Sequence, residues 1–143
     1  MAWVVDTCVL LDIRIGDPKF FRASMECLSQ HSEQGLVLAP ISYIELAPQF
    51  RGDRAIQDAF LSEYDVETFA AWSDADTFSA HALWSKFIER RKEQNLSRRP
   101  VADVLIAAFA ARFQGLITRN VDDFRKVAPS LPLVDASAFS PPL

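Results

Sequence analysis

The chain has 143 residues, half of them hydrophobic, which suits one domain with a sizeable core and argues against a disordered chain. Its formal net charge of −4, taken alone, argues against nucleic-acid binding. Two cysteines (Cys8, Cys27) and two distant histidines (His31, His81) give neither a disulfide framework nor a zinc spacing. Any metal must therefore be held by oxygen and be a hard ion such as Mg²⁺ or Mn²⁺.

Ala2 to Val5 is a short apolar run ending in Asp6, the pattern of a buried strand. No element is placed between Asp6 and Asp17. Asp17-Pro18 reads as an N-cap with Pro at the first helical position, opening a helix with Phe21, Met25 and Leu28 on one face. Gly35 ends that unit, and Leu36 to Ala39 reads as a second strand. Ile41 to Gln49 is helical, ended or kinked by Pro48. Asp53 to Glu63 is a short helix with Ile56, Phe60 and Leu61 inward, and Val66 to Phe69 is extended. Ser73 to Gln94 is a long amphipathic helix with an apolar stripe of Phe78, Ala82, Trp84, Phe87 and Ile88. Ala102 to Phe113 is apolar almost all round and reads as a buried helix capped by Gly115. Leu116-Ile117-Thr118 is a further strand, and Leu131 to Val134 a last edge strand, where Pro132 is tolerated. Trp72 and Trp84 suit core packing better than an interface.

Strands alternating with helices imply an α/β fold with a mainly parallel sheet. Ligands of such sheets sit beyond the carboxyl ends of the strands. Asp6 follows the first strand, and the Thr118-Arg119-Asn120 turn follows the 116–118 strand. The opening residues carry no basic start and meet an acid at once, so no secretory signal is expected. The longest strictly apolar run, Val104 to Ala111, is too short to span a bilayer. A cytoplasmic protein is the expectation.

Charge is unevenly spread. From Asp53 to Asp76 seven acids face one base, whereas from Lys86 to Arg99 six bases face two acids. That basic stripe suits a phosphate backbone, or equally the negative end of its own helix dipole.

Four acidic or amide positions stand at element boundaries beside apolar residues: Asp6, Glu45, Asp103 and Asn120 with Asp122 and Asp123. A carboxylate embedded in apolar sequence needs a partner, because an unpaired buried charge costs several kcal/mol or is driven to protonate. No basic partner stands beside Asp6, Glu45 or Asp103 in the sequence, and one divalent cation would relieve all three. Each also has a local reading. Asp6 could bond the turn after its strand, Ser42-x-x-Glu45 is a capping-box pattern, Asp103 is a first-turn acid, and Asn120 could cap a short helix.

Val5-Asp6-Thr7, then Ile41-Ser42-Tyr43-Ile44-Glu45-Leu46, then Ala102 to Ala108, then Ile117 to Phe124 resemble the signature of the PIN-domain family. The resemblance is to VapC toxins of bacterial toxin–antitoxin pairs, FitB-like members included. It covers Trp3 to about Val134. Its most specific part is Ala-Asp-x-x-Ile-Ala-Ala followed closely by Thr-Arg-Asn-x-x-Asp-Phe. It implies one PIN-like domain over residues 1–143, a three-layer α/β/α fold with a central mainly parallel sheet. It also implies a metal-dependent endoribonuclease that hydrolyses RNA phosphodiesters by metal-activated water, leaving a 5′-phosphate and a 3′-hydroxyl. Asp6, Glu45, Asp103, Asn120 and Asp123 would form the catalytic set, with Asp6, Glu45, Asp103 and Asp123 as ligands to Mg²⁺ or Mn²⁺. Asn120 stands where the family has its fourth acid, and Asp123 would compensate. Thr7, Ser42 and Thr118 offer hydroxyls, and Arg119 a phosphate contact, on the substrate side. Cys8 departs from the Asn frequent in such toxins and reads as a small core residue. A cognate VapB-like antitoxin and a homodimer are the implied partners.

Three other readings compete. A non-catalytic PIN-fold module that binds RNA or protein is kept open by Asn120. A dehalogenase-like phosphatase needs a second Asp where Cys8 stands, and a receiver domain needs a late Lys that Lys126 does not supply.

Overall fold

The computed structural model describes residues 2–94 and 100–139. Its strands are β1 (Trp3–Val5), β2 (Leu36–Val37), β3 (Val66–Glu67), β4 (Gly115–Thr118) and β5 (Leu133–Asp135). They form one sheet in the order β3-β2-β1-β4-β5, every neighbouring pair parallel. The helices are α1 (Thr7–Ile15), α2 (Phe21–His31), α3 (Pro40–Leu46), α4 (Arg54–Glu63), α5 (Asp74–Gln94), α6 (Val101–Ala110) and α7 (Val121–Val127).

The sheet is apolar on both faces, as a parallel sheet buried between helices must be. Successive side chains alternate between the faces. Val4, Val37 and Leu116 join the core formed with α5, α6 and α7. Val5, Leu36 and Ile117 join a second core with α1, α2 and α4. The result is the expected α/β/α sandwich. Phe109 and Phe124, both fully buried, anchor the first core, and truncating either to Ala would cost about 3–5 kcal/mol.

Helix α1 is the main element that periodicity does not show. Asp6, extended at φ −69° and ψ 148°, stands at its N-cap, and Gly16 in the left-handed region at φ 65° closes it. Thr7–Ile15 is rich in β-branched residues and buries Thr7, Val9, Leu10, Asp12 and Ile13, so its polar face is too narrow to register. Asp17 does not cap α2 directly. Its Oδ1 accepts the Lys19 and Phe20 N–H groups at 2.8 and 3.0 Å and shapes the turn before the helix.

Several inward faces also differ from the sequence expectation. Ile56 is 50% exposed, because α4 turns Gln57 inward and its Nε2 donates to the Tyr43 carbonyl at 2.8 Å. Phe78 is 70% exposed and Ala82 is exposed; α5 instead packs with Ala80, Leu83, Trp84, Phe87 and Ile88. Trp72 stacks on Phe109 and donates to Thr77, which makes it a core residue as expected. α3 stops at Leu46, and Pro48 lies in the 3₁₀ turn Ala47–Phe50 that follows. Gly115 opens β4 rather than capping α6. At φ 152°, a Cβ there would lie 2.4 Å from the Pro132 carbonyl oxygen and 2.7 Å from the Trp3 ring.

Candidate active site

The strand order creates a switch point. From β1 the chain steps outward to β2 and β3, then returns on the other side of β1 as β4. In open α/β sheets the crevice beyond the carboxyl ends of such a strand pair is the natural ligand site. Asp6 directly follows β1, and Thr118 ends β4.

These two meet. Thr118 Oγ1 donates to Asp6 Oδ2 at 2.7 Å, with both residues buried. Cys8, in the first turn of α1, donates its thiol to the same oxygen at 3.1 Å and lies 3.7 Å from Thr118 Oγ1. The Asn120 N–H donates to Thr118 Oγ1 at 2.9 Å, which ties the β4–α7 turn to the cluster. Thr7, on the other side, donates to Glu45 Oε1 at 2.7 Å and links α1 to α3.

The electrostatics follow from burial. Loss of solvent pushes the Asp6 carboxyl above the ordinary carboxylate range; the donors Cys8, Thr118 and the Thr7 backbone oppose the rise, and the Glu45 charge adds to it. Burial and the neighbouring Asp6 push the Cys8 thiol far upward, so it stands as an S–H donor.

These contacts decide two of the local readings. Ser42 is not a cap, since the N-cap position of α3 is Ala39 and Ser42 lies inside the helix. The Ser42 hydroxyl is fully buried and has no hydrogen-bond partner among the described residues. Glu45 is exposed and engages Thr7 instead of the helix end. The Asp6 carboxylate serves the switch point, with no side-chain cap bond to α1.

Asp103 stands in the first turn of α6, which packs against α3 and β1. Asp123 stands in the first turn of α7 and lines a cavity of about 440 Å³ with Arg119, Asn120, Asp122, Arg125 and Asp135. Thus Asp6, Thr7, Glu45 and Thr118 form one coupled set with Asn120 attached, while Asp103 and Asp123 are placed by the helices around it. Among the described residues, no three His, Cys, Asp or Glu side chains are gathered closely enough to hold a metal ion.

Arg119, the expected phosphate contact, is engaged within the chain. Its guanidinium grips Asp12, with Nε to Oδ2 at 2.5 Å and Nη2 to Oδ1 at 3.2 Å, and lies 4.6 Å over the Phe20 ring. Its Nη1 also donates to Asn120 Oδ1 at 3.3 Å. This two-pronged pair pins the β4–α7 turn to α1. Asp12 is the residue that sequence reading passed over, while Cys8, read as a small core residue, packs against the second core and also joins the cluster. Asp12 carried the same signal as the acids that were noticed, an acid inside the apolar run Val9-Leu10-Leu11-Asp12-Ile13.

The basic stripe is only partly visible. Arg90 Nη2 donates to the Lys126 carbonyl at 2.5 Å, which ties α5 to α7. Arg98 and Arg99, and the side chain of Lys92, lie outside the described residues. No helix among the described residues is long and apolar enough to cross a membrane.

No protein-family model matches the sequence, and neither does any curated protein. Solved structures do match over nearly the whole chain. A chain of the VapBC-1 structure from nontypeable Haemophilus influenzae has a TM-score of 0.64 and 21% identity, with 96% of this chain and 99% of that one covered. A chain of VapBC2 from Rickettsia felis, bound to a DNA fragment from their promoter, has a TM-score of 0.61 and 19% identity, covering 94% and 98%. A toxin–antitoxin complex from Klebsiella pneumoniae has a TM-score of 0.59 and 21% identity, covering 94% and 98%. With its all-parallel five-stranded sheet between two helical layers, this chain has the PIN-like α/β/α fold of these toxin–antitoxin structures.

Proposed function

We propose that the chain is the toxin of a VapBC-type pair, an endoribonuclease that hydrolyses RNA phosphodiesters with the help of Mg²⁺ or Mn²⁺. The observation that carries this reading is the buried Asp6 carboxylate at the β1–β4 switch point, electrostatically coupled to Glu45. A buried carboxylate with a second carboxylate close by is destabilised, and a hard cation offsets that repulsion. By chemical type the donors suit such an ion, being carboxylates, an amide and hydroxyls. Among the described residues the Ser42 hydroxyl is unpartnered, although no three acids are drawn together there. When bound, the cation lowers the pKa of a water and neutralises charge building on the phosphodiester.

The chain's own residues divide the remaining work. Thr118 and Cys8 hold the Asp6 carboxylate in one orientation, and Thr7 holds Glu45. Asp103 and Asp123 contribute further carboxylates from α6 and α7. Arg119 fixes the turn that carries Asn120. An antitoxin of the VapB type, a homodimer and a cytoplasmic setting belong to the same proposal, supported by the likeness to VapBC complexes.

A second reading, a non-catalytic module that binds RNA or protein, is favoured by Asn120. Its amide oxygen faces the Arg119 cation at 3.3 Å, in the place where the family pattern has an acid. Cleavage of single-stranded RNA with Mn²⁺ or with chelator separates the two. The nuclease reading predicts Mn²⁺-dependent cleavage, reduced about 100-fold or more in Asp103→Asn with the circular dichroism unchanged. Undiminished cleavage by that variant overturns the role of Asp103. RNA retention without any cleavage supports the binding module.

A further inference from the structure

Cys8 is the one member of the switch-point cluster that neither the family pattern nor the sequence reading assigns to the site. A carboxylate oxygen has two lone pairs to offer. Asp6 Oδ2 already receives two donors, the Thr118 hydroxyl at 2.7 Å and the Cys8 thiol at 3.1 Å. Among the described residues no side chain donates to Oδ1, and the Thr7 backbone N–H is the carboxylate's one further donor. Rotation of the carboxylate would break both bonds to Oδ2, so the two donors together fix its orientation.

We propose that Cys8 is a positioning residue: its S–H group saturates Asp6 Oδ2 with Thr118 and thereby leaves Oδ1 as the oxygen that meets a divalent cation. The thiol is well suited to this. Its position in the first turn of α1, two residues after Asp6, brings Sγ back over the carboxylate. Groups that hold a metal ligand from behind typically change metal affinity by about 10–100-fold when removed. A thiol is a weak donor, so the low end applies. This inference rests on the metal-site reading above.

The test uses the full chain and Mn²⁺ alone as probe. Calorimetric Mn²⁺ titrations compare wild type, Cys8→Ala and Cys8→Ser, with thermal unfolding recorded without metal. The account predicts about 10-fold weaker Mn²⁺ binding in Cys8→Ala. Cys8→Ser, which restores a donor, should bind within about 3-fold of wild type. Ser also refills most of the space lost in Ala, so the unfolding curves without metal separate a packing loss from the loss of the donor. The infrared S–H stretch supplies a readout free of metal. The Cys8 band, isolated as the difference between wild type and Cys8→Ser, should move to higher frequency in Asp6→Ala as the thiol loses its acceptor. If wild type binds Mn²⁺ and Cys8→Ala binds it equally well, the positioning role is wrong while the metal site stands. If wild type takes no Mn²⁺ at millimolar concentration, the metal site fails and this inference with it. An S–H band unmoved by Asp6→Ala removes the hydrogen bond itself and overturns the proposal.

Discussion

Replacing Arg119 by Ala removes the cation that serves Asp12, and the structure dictates which partner of that pair is the costlier to lose. The Asp12 side chain is 3% exposed and that of Arg119 is 29% exposed. Without Arg119 the Asp12 carboxylate is left largely buried and unpaired. Breaking a buried ion pair in this way costs about 3–5 kcal/mol, and we take about 3 because the vacated space admits water. Unfolding entropy of about 2.1 cal/mol/K per residue over 143 residues amounts to about 0.3 kcal/mol/K. The melting temperature should therefore fall by about 10 °C. The converse change, Asp12→Asn, leaves a guanidinium that is already partly in water and still lies over Phe20 at 4.6 Å. Its cost should be nearer 1 kcal/mol, about 3 °C. Thermal unfolding followed by circular dichroism measures both. A fall in Arg119→Ala below about 2 °C, together with a loss of RNA affinity, would refute the clamp and return Arg119 to the phosphate contact that the sequence suggested.

Two further outcomes follow from the site. Burial holds the folded Asp6 carboxyl above its ordinary value. The unfolded chain therefore releases that proton first, and the metal-free protein should lose stability as pH rises from about 3.9 through the raised folded value. Asp6→Asn should remove that stretch of the profile, measured by denaturant unfolding at stepped pH. Identical profiles for both proteins would contradict the shift. Thr7→Val breaks the 2.7 Å bond to Glu45. Because Glu45 is exposed, stability should change by no more than about 1 kcal/mol. Mn²⁺-dependent RNA cleavage should fall about 10-fold, and unchanged cleavage would detach Thr7 from the site.

The sheet was legible because its strands are short apolar runs bounded by turn residues, and parallel pairing follows from helices between them. Asp6, Glu45 and Asp103 stand out in the sequence by one criterion, an acid set in apolar sequence, and the structure couples Asp6 with Glu45. That criterion reached Asp12 as well, but α1 went unseen and left Asp12 without a helix to place it. The face errors at Ile56 and Phe78 share a cause. Near the ends of α4 and α5 an apolar residue meets no covering layer, and the burial goes to Gln57 and Ala80. Cys8 was beyond the reach of pattern. Its value comes from sharing an acceptor with Thr118, and no sequence period joins positions 110 residues apart.

The most direct test of the central claim is anomalous diffraction from crystals of the full chain soaked in Mn²⁺. The account predicts one strong peak at about 2.1 Å from Asp6 Oδ1, with Glu45 and Asp103 carboxylates facing it directly or through water. A well-diffracting crystal with no peak at the β1–β4 switch point, or with its only peaks elsewhere, would contradict it.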